Sequence, residues 1–387
     1  MQPSTATQVA LQGADVLTPT GWIQNATVLV EDGRFTQIDQ TSKPSGFVSI
    51  DVTGLQMLPG IVDIHGDAFE RMICPRPGVN FALDIAITEN DRTLLAAGIT
   101  TFYYSITDSF EPGLRSRDTA RKLVETILHQ PLNLKVDSRI HIRHEQSNTD
   151  QHEEFCEWLE NGKVHLLSLN NHVPDATDDE TLARYTKGLQ QRIKLSLPDI
   201  RSLIESAIAR QAEGLQQIEA LVEQAHRLEI PIASHDDESE VDVELSAKRQ
   251  VAIAEFPASI ELAAQSREYG AAVLMGAPNL IRGGSHVGYM SVAAAAQADV
   301  LDCLCSDYHY PSLFHAPFKM AEMGLMSFEE SWKLVSVHPA KAAGIGDRKG
   351  TIAPGLDADF LLLKPGCTLP SAIAAVYIKG QEVARYA

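Results

Sequence analysis

His65 and Asp67 stand two apart in Asp63-Ile64-His65-Gly66-Asp67, directly behind an apolar run. Glu145 closes His141-Ile142-Arg143-His144-Glu145, and His172 closes Asn170-Asn171-His172. His235 heads His235-Asp236-Asp237, and Asp307 sits in Ser306-Asp307-Tyr308. Each is an imidazole or a carboxylate immediately after a short apolar segment. Any one of them alone is explained as a capping or loop-start hydrogen-bonding residue. As a set they are a metal-ligand inventory: mixed imidazole and carboxylate donors suit zinc, manganese or iron, and a carboxylate-rich site also admits magnesium. The expected cofactors are two divalent metal ions, zinc first. In such a site Asp307 has a second task, accepting a proton from the attacking water.

Residues so far apart meet only if the elements before them end on one surface. Eight β-rich apolar runs precede or alternate with these residues: Ile61–Ile64, Thr100–Ser105, Arg139–Arg143, Val164–Leu169, Ile230–Ser234, Val251–Phe256, Ala272–Met275 and Val300–Cys305. Helical patterns separate them, which indicates parallel strands with crossover helices. Eight such units predict a (β/α)8 TIM barrel, whose strand C-termini share one face. An open doubly wound sheet is disfavoured, because no G-x-G-x-x-G follows the first strand.

The two chain ends read differently. Val9–Leu17, Ala26–Glu31 and Arg34–Ile38 look like short strands with a turn at Asp32-Gly33, and Asp359–Leu363 and Ala374–Ile378 repeat the pattern before Lys379-Gly380. Residues 1–57 and 350–387 are expected to form one small β-sandwich-like domain, and 58–349 the barrel. The link from Val173 to Leu228 is long, and apolar residues recur at helical spacing after Pro198. It reads equally as an ordinary barrel helix with an extended loop or as a lid.

Cationic groups are outnumbered by acidic ones. The 387-residue chain carries 32 Lys+Arg against 51 Asp+Glu, a net charge of -19, which repels nucleic acid and anionic membranes. A phosphorylated small-molecule substrate would therefore need local positive charge. Arg71 and Arg76 follow the His-x-Asp pair, and Arg282 precedes Gly283-Gly284-Ser285-His286. Arginine suits bidentate phosphate binding, and paired glycines can form an anion nest. A solvated loop and a plain glycine turn explain the same residues. His286 could donate a hydrogen bond or proton to a leaving oxygen, or be structural. The cysteines, at 74, 156, 303, 305 and 367, are too scattered for a disulfide framework. No signal-peptide pattern or membrane span is recognisable, so the cytoplasm is the default location. Nothing in the sequence speaks against a homo-oligomer.

Leu58-Pro59-Gly60-Ile61-Val62-Asp63 before a metal-binding His, and Gly355-Leu356-Asp357-Ala358-Asp359 near the end, resemble the amidohydrolase superfamily. The segments HGDAFERMICPRPGVNF, ASHDDES, EFPASIELA, MGAPNLIRGGSHVG and CSDY resemble, within it, the diphosphatases that act on α-D-ribose 1-methylphosphonate 5-triphosphate in the carbon–phosphorus lyase pathway. The resemblance implies release of pyrophosphate from a ribosyl triphosphate. It implies metal binding by His65, Asp67, Glu145, His172, His235 and Asp307, with Glu145 in the bridging place. Val173-Pro174-Asp175-Ala176 and His309-Tyr310-Pro311-Ser312 depart from the family's pattern, which bears on the substrate and leaves the metal chemistry intact. Two rivals remain. One is hydrolysis of a cyclic amide or another C–N bond, and the other is a non-catalytic scaffold, which should have lost ligands.

Overall fold

The structure is a computed structural model, and it describes residues 8–39, 45–76, 78–174, 178–193, 195–284, 288–366, 369 and 372–386. Eight parallel strands follow one another in sequence order: Ile61–Gly66, Ile99–Asp108, Asp137–Glu145, Leu166–Asn170, Ile232–His235, Ile253–Glu255, Ala272–Gly276 and Cys303–Cys305. Each coincides with one of the eight apolar runs. The last strand returns to the first just beyond its end. Asp307 N–H donates to His65 O at 3.0 Å, and Asp67 N–H donates to Asp307 O at 2.9 Å. These bonds close the ring at the level of the predicted ligands.

The barrel interior is a packed core of small and branched side chains. Val62, Ile64, Tyr103, Leu166, Ala233, Ile253, Leu274, Cys303 and Cys305 are all buried there. The helix Val337–Ala342 plugs it, with Ala340 packed on the same cluster. Both cysteines are thus small apolar core residues, and both are free. Such packing leaves the C-terminal rim as the place where polar groups can gather.

The chain ends share one sheet. Its order is Gln381–Arg385, Ile373–Ile378, Phe360–Leu363, Gln56–Pro59, Val9–Thr18, Gly21–Glu31 and Arg34–Asp39, with Val48–Asp51 also pairing on Val9–Thr18. The junction between the two ends is the antiparallel pair Pro59↔Phe360 to Gln56↔Leu363. Asp32 and Gly33 (φ 50° and 78°) and Lys379 and Gly380 (φ 48° and 69°) form the two left-handed hairpin turns. A Cβ on Gly380 would lie 2.5 Å from Val30 Cγ1, so this turn must be glycine to pack on the other end of the chain. Three strands escape the sequence pattern: Val48–Asp51, Gln56–Pro59 and Gln381–Arg385. Two have four residues and the third is a half-exposed edge, so none shows a clear alternation.

The long link resolves into two helices, Asp179–Arg192 and the 31-residue Leu197–Arg227. Ser196 caps the second by accepting from Asp199 N–H, and Pro198 lies in its first turn, where a missing N–H costs nothing. Its C-terminal half is an ordinary barrel helix, with Ile218, Leu221, Val222 and Ala225 in the main core. Its N-terminal half packs Ile200 and Ile204 on Leu189 of the shorter helix, a small separate core. The segment is therefore a barrel helix with an added helical wall.

Candidate active site

Four predicted ligands line one cavity of about 240 Å³ at the strand C-termini: His65, Asp67, His235 and Asp307. Arg143, Asp236, Phe256, Gly276, Tyr289 and Tyr308 complete most of its wall. A second cavity of about 670 Å³ adjoins it, walled by His172, Asn170, Asp237 and, from the added helix, Thr181, Arg184 and Tyr185. His235, Asp236 and Tyr289 line both.

Local backbone geometry turns these side chains inward. Asp236 follows the fifth strand at φ 57°, Phe256 the sixth at φ 58°, and Asp307 follows the eighth at φ 53°. Aspartate tolerates the left-handed region, but phenylalanine does so at a cost of about 1–3 kcal/mol, which persists only where packing over-determines it. Phe256 sits edge-on to both His65 and His235, with centroids 4.9 and 5.3 Å away. Gly276 gives Asp307 room, since a Cβ there would stand 3.2 Å from Asp307 Oδ2.

The imidazoles form a row: His65 to His235 is 5.5 Å between centroids, and His235 to His172 is 5.3 Å. Glu145 ends the row. Its Oε1 lies 2.5 Å from His172 Nδ1, and its Oε2 accepts from His172 N–H at 3.1 Å. Burial alone would raise the Glu145 pKa, but pairing with His172 outweighs it and holds it at about 2. The same pairing, with Asp236 3.5 Å away, overcomes burial at His172 and lifts it to about 10. Burial, aided by the Arg143 charge, pushes His65 down to about 3, and burial also lowers His235. Asp307 rises to about 8, from burial first and then repulsion by Asp67. Asp63 beneath it rises to about 7 because it is fully buried.

Hydrogen bonds fix the tautomers. Arg143 Nη2 lies 2.9 Å from His235 Nε2; a guanidinium only donates, so that imidazole nitrogen carries a lone pair. Glu255 is buried on the sixth strand and accepts from Ser168 Oγ at 3.0 Å. Its other oxygen lies 2.8 Å from His65 Nδ1, which suits an Nδ1–H and leaves the Nε2 lone pair able to ligate a cation. His141 lies below, with Nδ1 3.0 Å from Ser105 Oγ and Nε2 3.9 Å from Glu255. His144 points away from this group and pairs with Asp108 at 2.7 Å.

These residues fit a pair of divalent cations. Burial keeps His65 and His235 neutral with lone pairs to present, His172 would give up its proton to a cation, Glu145 is ionised, and Asp67, Asp236 and Asp307 crowd one small cavity whose single Lys or Arg, among the described residues, is Arg143. Two triads bring donor atoms within 4.8 Å of one another: His172, His235 and Asp236 at the cavity, and the buried His65, His141 and Glu255. Asp67, Glu145 and Asp307 belong to neither triad. Asp67 is instead 3.5 Å from Arg143 Nη1 and 3.8 Å from Arg115 Nη2.

The anion-binding residues divide. Arg71 stacks over the Tyr308 ring at 5.9 Å and Arg282 donates to Tyr308 Oη at 3.0 Å, so both meet a residue of the cavity wall. Arg76 is exposed in a turn that pairs with Val79. Of the two readings of Gly283 and Gly284, a nest or a plain turn, the backbone contacts are those of the turn. Gly283 N–H donates to Leu280 O at 3.2 Å and Gly284 N–H to Asn279 O at 2.8 Å, closing the helix Ala277–Arg282. Their N–H groups are occupied by helix capping. His286 lies outside the described residues. Asp307 is no helix cap, because the next helix, Tyr310–Glu322, begins after His309. Sequence reasoning passed over Glu255 and Arg143. Both lay inside motifs already singled out, EFPASIELA and His141-Ile142-Arg143-His144-Glu145.

A family model described as the amidohydrolase family matches residues 57–383. The alpha-D-ribose 1-methylphosphonate 5-triphosphate diphosphatase of Escherichia coli (strain K12) is 32% identical over 321 residues, spanning 81% of this chain and 84% of that protein. The dihydropyrimidinase structure from Brevibacillus agri superposes with a TM-score of 0.66 at 15% identity, covering 98% of this chain and 95% of that one. Molinate hydrolase gives 0.65 at 14% identity, again over 98% and 95%. At these identities the two structures share the fold. The chain belongs to the amidohydrolase family.

Proposed function

We propose that this hydrolase cleaves the triphosphate of α-D-ribose 1-methylphosphonate 5-triphosphate, or a close analogue, and releases pyrophosphate. The likeness to the Escherichia coli diphosphatase carries the choice of substrate. The observation in its favour at the site is the convergence of Arg71 and Arg282 on Tyr308, at the edge of a cavity floored by His65, Asp67, His235 and Asp307. A cyclic amide would have no use for two cations at that place.

His65, Asp67 and Asp307 would hold one divalent cation and His172 and His235 the other, with Glu145 between them. Such a pair, with zinc first and manganese, iron or magnesium as alternatives, supplies an activated water and neutralises phosphoryl oxygens. Asp307 accepts the proton of the attacking water, and its placement beside Gly276 leaves the carboxylate facing the cavity. Arg71 and Arg282 orient the departing pyrophosphate through charge. The contacts of Arg76, Gly283 and Gly284 assign them no part, and His286 lies outside the described residues. Residues 58–349 would carry the chemistry and the two chain ends a supporting sheet. A free sugar triphosphate is met inside cells, and we assign the reaction to the cytoplasm on that ground.

The test is a paired assay on protein stripped with a chelator and then reloaded. Pyrophosphate release from ribosyl triphosphates should vanish on stripping and return with metal. Turnover of a cyclic amide without any triphosphate turnover would replace this reading with an amide hydrolase.

A further inference from the structure

We propose that Arg143 is a substrate-binding residue that grips the phosphoryl group at the reacting phosphorus; this rests on the phosphate reading above. Arg143 lies two residues before Glu145 on the third barrel strand, so the two share a strand face. Its side chain is buried and lines the 240 Å³ cavity, where it is the single Lys or Arg among the described residues. Arg71 and Arg282, the charges expected from sequence, reach Tyr308 at the edge and not the floor.

Its hydrogen bonding is unlike that of a structural arginine. Buried Arg117 grips Asp108 with two nitrogens and donates to Asp150 O and Gln151 O at 3.0 and 2.9 Å. Arg115 is likewise bidentate on Glu70. Arg143 makes a long, single contact of 3.5 Å to Asp67 and donates to the lone pair of His235. Its Nε is buried without a partner. A guanidinium carries a fork of donors matched to phosphate oxygens, and this fork is incompletely used. Both present partners, Asp67 and His235 Nε2, are groups proposed above to bind cations. Once they do so, a cation takes the His235 lone pair at about 2.0–2.1 Å, Nη2 is displaced from it, and the guanidinium, released from both partners, has its donors free for an anion. The inner phosphoryl group would then meet Arg143 and the outer pyrophosphate Arg71 and Arg282.

Calorimetric titration of the metal-loaded protein with inorganic orthophosphate and pyrophosphate tests this, with bound metal measured in parallel. Arg143→Gln should weaken orthophosphate binding roughly ten- to hundredfold, the worth of a charge-assisted contact, while metal content stays at the wild-type level. Arg143→Lys should recover part of the loss, and it serves as the variant to read if the glutamine protein does not fold. Arg71→Ala should weaken pyrophosphate and spare orthophosphate. Wild-type orthophosphate affinity in Arg143→Gln, or a loss that tracks loss of metal, would overturn the proposal alone. Absence of any phosphate binding in the wild-type protein would overturn the phosphate reading with it.

Discussion

Glu145 is held by both His172 Nδ1 and His172 N–H, one contact to each carboxylate oxygen. Replacing it with Gln removes the charge and keeps the shape. Glu145→Gln should therefore bind clearly less metal than wild type, whereas Arg71→Ala should keep full occupancy; elemental analysis of the purified variants decides. Asp307→Asn should keep the fold and most of the metal while kcat falls roughly a hundred- to ten-thousandfold, the range for a lost general base. Near-normal rate constants would remove Asp307 from that role. The positions of His65, Asp67, His235 and Asp307 were legible because each ends an apolar run, and strand ends of a closed barrel converge. Glu255 and Arg143 were hidden for the same reason in reverse. They lie within the observed strands, where a lone charge reads as a solvent-facing position and only barrel closure turns it inward. Gly283 and Gly284 stayed open in the sequence because glycine pairs mark helix ends as well as nests.

The strands were legible as elements because inward and outward faces are both buried, so they read as continuous apolar runs. The added wall was not, since nothing local says where a helix packs. That wall depends on one close approach. Gly214, midway along Leu197–Arg227, lies against the loop after Glu145, and a Cβ there would sit 1.9 Å from Gln146 O. Helix propensity alone predicts that Gly214→Ala gains about 1 kcal/mol. The contact reverses the sign: the variant should lose about 1–3 kcal/mol in denaturant unfolding, as overpacked sites do. Because Gln146 adjoins Glu145, metal affinity should fall as well. A stabilised variant with unchanged metal binding would show that the helix can shift freely.

At the scale of the molecule, a single buried lysine ties the end sheet to the barrel. Lys349 Nζ lies 2.5 Å from Asp359, 3.1 Å from Asp137 at the start of the third strand, and 3.6 Å from Asp357. Burial would lower its pKa, but Asp359 and Asp137 outweigh that and raise it, so it stays charged. Lys349→Met would leave buried carboxylates unpaired and should cost about 3–5 kcal/mol in denaturant unfolding. A loss under about 1 kcal/mol, the scale of a surface pair, would show that the cluster is solvated. With a net charge of -19 around it, the proposed site would have to supply its own attraction for a polyanion, and the proposed cations together with the arginines at the barrel rim would be that supply. The measurement that tests this most directly is hydrolysis of α-D-ribose 1-methylphosphonate 5-triphosphate by the metal-loaded protein in isotopically labelled water. Attack at the α-phosphorus places the label in the sugar monophosphate, which is the predicted result. Label found solely in pyrophosphate, or no turnover of the triphosphate at all, would contradict the account.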